Sequence, residues 1–189
     1  MTSPAVTAGT VQPLSDNARR MYRGAIWLVI IAEAMIFVTL FSTRFLLAGM
    51  DRPVEPTDPL GLTVTATLVV SLIPTWMGLR NIAGGDSSVM SRNLAISALL
   101  SAAALVVIVY DWTTLSFPPG SPFGENYIVS TGYHAAHIAI GGIWLAAAAV
   151  AGRRGAYTKD NHWVVEGGVR FWMFVVAMWI ALYVVFFVL

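Results

Sequence analysis

Apolar residues fall into five long runs along the chain, separated by short connections rich in Pro, Gly and charged residues. The runs cover residues 24–47, 60–79, 94–115, 127–151 and 164–189. Each is long enough to cross a hydrocarbon core of about 30 Å at about 1.5 Å per residue. Because backbone polar groups in lipid must be paired internally, the pattern predicts five transmembrane helices, the second kinked at Pro74. The expected fold class is an all-α, polytopic membrane protein built as a five-helix bundle.

The composition agrees with this pattern. The chain has 189 residues, of which 57% are hydrophobic and 11% charged, as expected for a membrane protein with one domain. We expect residues 24–189 to form that domain and residues 1–23 to form a disordered, cytoplasmic N-terminal tail. The net charge of +1 gives no indication of a nucleic-acid partner, and the lack of cysteine excludes disulfides and thiolate metal sites.

The basic residues predict the orientation of the bundle. Most Lys and Arg residues lie in the N-terminal tail and in the second and fourth connections: Arg19, Arg20, Arg23, Arg80, Arg92, Arg153, Arg154 and Lys159. The first connection contains only Arg52, beside several acidic residues, and the third contains neither Lys nor Arg. By the positive-inside rule the N-terminus is expected in the cytoplasm and the C-terminus outside.

Ionisable residues inside the apolar runs are the candidate functional residues. Glu33 lies in the first run, His134 and His137 lie in the fourth, and Asp111 lies near the outer end of the third. A charged side chain at mid-membrane costs about 2.5–3.5 kcal/mol or more, so such groups normally face protein and have a partner. Helical rise places Glu33 about 13 Å and His137 about 15 Å from the same membrane edge. We therefore predict a polar intramembrane seam of these four residues, with a hydrogen bond between Glu33 and His137.

The residues alone leave several roles open for this seam. Glu33 could be a structural carboxyl group or could take part in proton traffic or partner contact, and the two histidines could bond between helices. Two His and a carboxylate could also ligate a transition metal or haem. Glu166 and Arg170 are spaced for a structural i,i+4 ion pair. The chain has no nucleophile beside a base and no phosphate-binding glycine loop, so neither a catalytic residue nor a metal ligand is assigned.

Read in order, the polar positions resemble the cytochrome c oxidase subunit III family. Residues 32–37, Ala-Glu-Ala-Met-Ile-Phe, resemble the family's Ser-Glu-x-Met-Phe-Phe, and residues 110–112, Tyr-Asp-Trp, resemble its Tyr-Glu-Tyr. Residues 131–137 with Gly141 match Thr-Gly-Phe-His-Gly-x-His-x-x-x-Gly. The last run retains Glu166, Trp172, Phe174 and Trp179. The resemblance begins near residue 24 and continues to the C-terminus.

The chain also departs from the family pattern at particular positions. Leu62 stands where the family has Asn, and Met173 and Val176 stand where it usually has His and Asp. Arg170 replaces an aromatic residue. The last helix has therefore lost two polar anchors, which indicates a divergent branch.

The resemblance implies a short, five-helix bacterial form of a non-catalytic subunit in a proton-pumping haem–copper terminal oxidase, which reduces oxygen to water. In such a complex, haem and copper are carried by partner subunits. The partners would be subunits I and II and membrane lipids, with further respiratory-complex subunits left open. No cofactor other than bound phospholipid is expected on this chain. The chain would stabilise subunit I and its proton-uptake entry, in the bacterial plasma membrane.

Three alternatives remain at this stage. One is the accessory subunit of a nitric oxide reductase, which has a similar sequence type. Another is a membrane metal or haem assembly factor that uses Glu33, His134 and His137. A small transporter or channel is disfavoured because the five runs show no internal repeat and no charged pore ring.

Overall fold

The computed structural model describes residues 15–49 and 59–189, and this part of the chain is almost entirely helical. The helices are α1 (Asp16–Ala48), α2 (Pro59–Ala83), α3 (Ser87–Thr113), α4 (Pro122–Arg153) and α5 (Trp163–Tyr183), and α5 ends in a π-helical turn, Val184–Val188. All five helices are long and apolar enough to cross a membrane. The prediction of an all-helical protein with five such helices is confirmed.

The helices extend beyond the apolar runs at most of their ends. α1 begins at Asp16, inside the segment predicted to be a tail, because Ser15 accepts a hydrogen bond from the Ala18 amide and caps the helix. α3 begins at Ser87 rather than at residue 94, with Asp86 as its cap, and ends at Thr113. α2 continues through Pro74 as one helix. Residues 1–14 of the tail, and Arg52 of the first connection, lie outside the described residues.

The packing centres on α4 and α5. α4 contacts α1, α3 and α5, and α5 contacts α1, α2 and α4, whereas α2 packs mainly on α3. Serine and threonine hydroxyls accept hydrogen bonds from tryptophan side chains across the interface of α2 and α5. Trp172 Nε1 donates to Ser71 Oγ at 2.9 Å, and Trp179 Nε1 donates to Thr65 Oγ1 at 2.8 Å, so α5 is hydrogen-bonded to α2 at two levels. Such bonds are favoured where no water competes for the polar groups.

α1 is the most peripheral helix. Its buried residues are Ile30, Phe37 and Arg44, which recur every seven residues and mark the stripe that faces the bundle. The opposite face presents large apolar side chains, with Leu28 70% exposed and Leu46 81% exposed. An apolar outer surface of this kind suits lipid or another membrane protein.

Candidate functional site

A polar cluster lies between α1 and α4, where Glu33 meets two side chains of α4. The Tyr133 hydroxyl donates a hydrogen bond to Glu33 Oε2. His137 Nε2 lies 3.3 Å from the same oxygen. The hydrogen bond between Glu33 and His137 that the helix depths predicted is therefore present. Tyr133 is an additional partner that those depths did not identify.

The surroundings of His137 restrict where its protons lie. His137 Nδ1 is 2.8 Å from the backbone oxygen of Tyr133. Because a carbonyl oxygen only accepts hydrogen bonds, Nδ1 must carry a hydrogen. Nε2 then either donates a second proton to the Glu33 carboxylate or accepts one from the Glu33 carboxylic acid. In both cases Glu33 and His137 share one proton, so the cluster can hold a proton or pass it between the two groups.

Aromatic rings enclose the inner side of this cluster. Phe37 is fully buried and contacts His137 edge-on, with 5.3 Å between ring centroids. Phe171 and Phe174 also contact the His137 ring, at 6.2 and 6.5 Å. By contrast, the Glu33 side chain is 29% exposed on the outer surface of the bundle. The carboxyl group is therefore accessible from one side only.

The other predicted seam residues lie apart from Glu33. His134 is fully buried between the rings of Phe37 and Trp179, and neither of its nitrogens has a hydrogen-bond partner among the described residues. Asp111 accepts a 2.7 Å hydrogen bond from the Tyr127 hydroxyl, near the start of α4. Among the described residues, His134 therefore has no hydrogen bond to Glu33, His137 or Asp111.

A second charged cluster fastens α1 to the start of α5. Arg170 Nη2 donates to Glu166 Oε2 at 3.1 Å, the i,i+4 pair expected from the sequence. Arg23 of α1 adds two hydrogen bonds of 3.1 Å to the same carboxylate, one to each oxygen. Tyr22 stacks on Trp163 beside this contact, with ring centroids 4.2 Å apart. Arg23 was identified from the sequence only as a basic residue before the first run, because nothing local indicates a partner on α5.

The described residues contain no group of three His, Cys, Asp or Glu side chains that could hold a metal ion. Of the three residues that the assembly-factor alternative requires, Glu33 and His137 are hydrogen-bonded to each other, whereas His134 has no hydrogen bond to either of them. His137 uses both ring nitrogens within the protein, and His134 is enclosed by aromatic rings.

Comparison with known sequences identifies the family. Residues 14–189 match the sequence model of cytochrome c oxidase subunit III. The chain belongs to the cytochrome c oxidase subunit III family. Its five apolar helices make this family member a multi-pass membrane protein.

Three similar proteins are each named cytochrome c oxidase subunit 3. Cytochrome c oxidase subunit 3 of Neurospora crassa is 30% identical over 190 residues, covering 90% of this chain and 70% of the relative. The Drosophila yakuba protein is 24% identical, with coverage of 93% and 72%. The Cyprinus carpio protein is 27% identical over 135 residues, and the match covers 69% of this chain but only 51% of the carp chain. The chain thus spans between half and three quarters of the length of these relatives.

The family motif on α4 has a clear structural basis at Gly141. A Cβ atom at this position would lie 2.7 Å from Cε3 of Trp172, too close for a stable contact. Glycine therefore allows the fully buried Trp172 of α5 to pack directly against the α4 backbone. The Tyr133 position of the same motif is Phe in the family pattern, so the extra hydroxyl that reaches Glu33 was visible in the sequence as a departure.

The apolar departures from the family pattern have different environments. Leu62 and Met173 lie on the outer surface, with exposed fractions of 49% and 48%. Val176 is 1% exposed and forms part of the core. Replacing polar residues at the first two positions therefore suits a lipid-facing surface, and replacement at the third suits apolar packing.

Proposed function

We propose that this chain is a non-catalytic core subunit of a proton-pumping haem–copper terminal oxidase in the bacterial plasma membrane. It stabilises subunit I and the proton-uptake entry beside it, and it binds lipid in its surface grooves. The oxygen chemistry, the haems and the copper reside on partner subunits. The family match over residues 14–189 is the principal support for this proposal.

The observation in the structure that carries the proposal is the position of the Glu33 cluster. Glu33, Tyr133 and His137 form a hydrogen-bonded group that is closed on its inner side and open at the surface of α1 and α4. An ionisable group inside an apolar helix is costly unless it serves a contact or a proton path. A partner subunit that covers this face would contact a carboxyl group already fixed in position.

The disposition of the histidines supports placing the haems elsewhere. His134 and His137 lie on the same helix. The His134 ring is enclosed by aromatic side chains, and both nitrogens of His137 are hydrogen-bonded within the protein. The broad apolar face of α1 supports burial against subunit I or lipid. The proposed orientation, with the N-terminus in the cytoplasm, rests on the distribution of Lys and Arg.

Purification of the complex tests the proposal. The chain is tagged in its native membrane, extracted in a mild detergent and captured, and the captured material is examined by visible haem spectroscopy and oxygen-uptake measurements. We expect haem-containing subunits to be captured in a fixed ratio together with oxygen-reducing activity. Capture of the chain without haem proteins, or of a complex that reduces nitric oxide but not oxygen, would contradict the proposal. An untagged strain is the control for non-specific capture.

A further inference from the structure

α4 carries a row of buried polar side chains that is separate from the Glu33 cluster. Asn126, Ser130 and His134 are spaced by four residues and lie on one face of the helix. Their exposed fractions are 7%, 0% and 0%. Among the described residues, Asn126 Oδ1, Ser130 Oγ and both ring nitrogens of His134 have no hydrogen-bond partner.

The neighbouring side chains leave these atoms unpaired. The Trp179 indole faces the His134 ring at 5.3 Å between centroids, but its N–H donates to Thr65. The Asn126 amide nitrogen donates to Thr43 Oγ1 at 2.5 Å, which leaves the amide oxygen available. Buried polar groups in folded proteins are bonded either to protein or to ordered water, and this requirement is stronger inside a membrane.

The spacing and chemistry of the row suit water. Side chains one helical turn apart have Cβ atoms about 5–6 Å apart, a gap that one water spans with two hydrogen bonds of about 2.8 Å. The amide oxygen accepts, whereas the hydroxyl and the neutral imidazole each donate and accept, so a water between successive members finds complementary partners. We propose that α4 binds a row of ordered waters inside the bundle, bridging Asn126 to Ser130 and Ser130 to His134.

This hydration site gives His134 a role that differs from that of His137. His137 is fully bonded to Glu33 and to its own helix, whereas His134 is oriented by water at the junction of α1, α4 and α5. Water, hydroxyl and imidazole each donate and accept hydrogen bonds, so the part of the row from Ser130 to His134 can relay a proton along about one turn of α4. The site is independent of the identity of the partner subunits.

Solid-state NMR of the assembled complex in lipid bilayers tests the proposal. The protein is labelled with ¹⁵N-histidine and ¹⁵N-tryptophan, and polarisation is transferred from water protons to the ring nitrogens. We expect strong transfer to His134, identified by its loss in His134→Phe. Ser130→Ala should reduce that transfer at least twofold. The matched control is Ser101→Ala, which removes a buried hydroxyl that donates to Ala98 on α3; transfer to His134 should be unchanged.

Two NMR outcomes would overturn the proposal. One is transfer to His134 no stronger than transfer to the buried indole of Trp172, and the other is equal transfer in the Ser130→Ala and Ser101→Ala proteins. A high-resolution cryo-EM map of the wild-type complex gives a readout that needs no variant. Density peaks within hydrogen-bonding distance of Ser130 Oγ and a His134 nitrogen are expected, and a row without such peaks contradicts the proposal.

Discussion

Tyr133 is the side chain that distinguishes the Glu33 cluster from a simple carboxyl–imidazole pair. Its hydroxyl and the His137 imidazole converge on one oxygen of Glu33, so the carboxyl group has two partners on α4. Hydrogen bonds to charged groups contribute about 1.5–3 kcal/mol, more than bonds between neutral groups. Much of the attachment of α1 at this level therefore depends on a single hydroxyl and a single ring.

Tyr133→Phe tests this contribution, because it removes only the hydroxyl and restores the residue of the family motif. We expect the variant to lose about 1–3 kcal/mol of stability, since Glu33 loses one of its two partners. Thermal unfolding in mild detergent measures the change. Tyr110→Phe is the matched control, on an α3 side chain that is 57% exposed, and should change stability by less than about 0.5 kcal/mol. Equal effects of the two substitutions would show that the Tyr133 hydroxyl contributes nothing specific.

At the scale of the helices, α3 and α4 are in close contact at Gly142. A Cβ atom at this position would lie 2.1 Å from Ser101 Oγ and 3.1 Å from Ser101 Cβ. A similar contact near the C-terminal end of α4 places Gly152 against Met90 and Ser91 of α3. Small residues thus set the separation of these helices, which is the usual means of helix association in lipid.

Gly142→Ala should separate α3 from α4 locally and destabilise the bundle by about 1–3 kcal/mol, as overpacking does in well-packed cores. Gly24→Ala is the control, because nothing lies within 4 Å of a Cβ atom at Gly24. It should be neutral or stabilising by up to about 1 kcal/mol, since alanine favours helix. Ser101→Gly should partly rescue Gly142→Ala in a double-mutant cycle. Lack of rescue would place the strain elsewhere.

The helices were predictable from sequence to the extent that the membrane determines them. Apolar runs reveal the part of each helix that lies in lipid, because no other backbone structure is stable there. The polar ends were missed: residues 16–23 and 87–93 continue α1 and α3 through capping by Ser15 and Asp86, which hydropathy does not report. Hydropathy therefore locates a membrane helix better than it locates the helix ends.

At the scale of the whole molecule, contacts distant in sequence attach α1 to the bundle at three levels. Arg23 binds Glu166, Glu33 binds Tyr133 and His137, and Thr43 accepts from Asn126. The depth argument identified the central pair because both residues are ionisable and lie in apolar runs. It missed Arg23 and Thr43, whose partners depend on how α1 leans against α4 and α5, and this geometry is absent from any local pattern.

Glu33→Ala tests the proposed bracing role. Because that role places no chemistry on Glu33, we expect the initial oxygen-reduction rate of the assembled complex to remain largely intact. Activity should instead decay several-fold faster during sustained turnover, as the α1 face loosens beside the proton entry. Oxygen-electrode traces over many turnovers measure both quantities.

The control for this experiment is Arg153→Ala, a change at an exposed residue at the end of α4 that should alter neither quantity. An immediate loss of turnover in Glu33→Ala, with subunit content and haem spectrum unchanged, would show direct participation of the carboxyl group in proton transfer. The bracing role would then be wrong.

Because the partners of α1 lie far along the chain, they are translated well after α1 itself. Glu166 follows Arg23 by 143 residues in the chain, and Tyr133 follows Glu33 by 100. At a synthesis rate of about 5–20 residues per second, roughly 7–30 s pass between translation of Arg23 and of Glu166. During that interval the first helix must remain in the bilayer by its own apolarity, because Glu166 has not yet been translated.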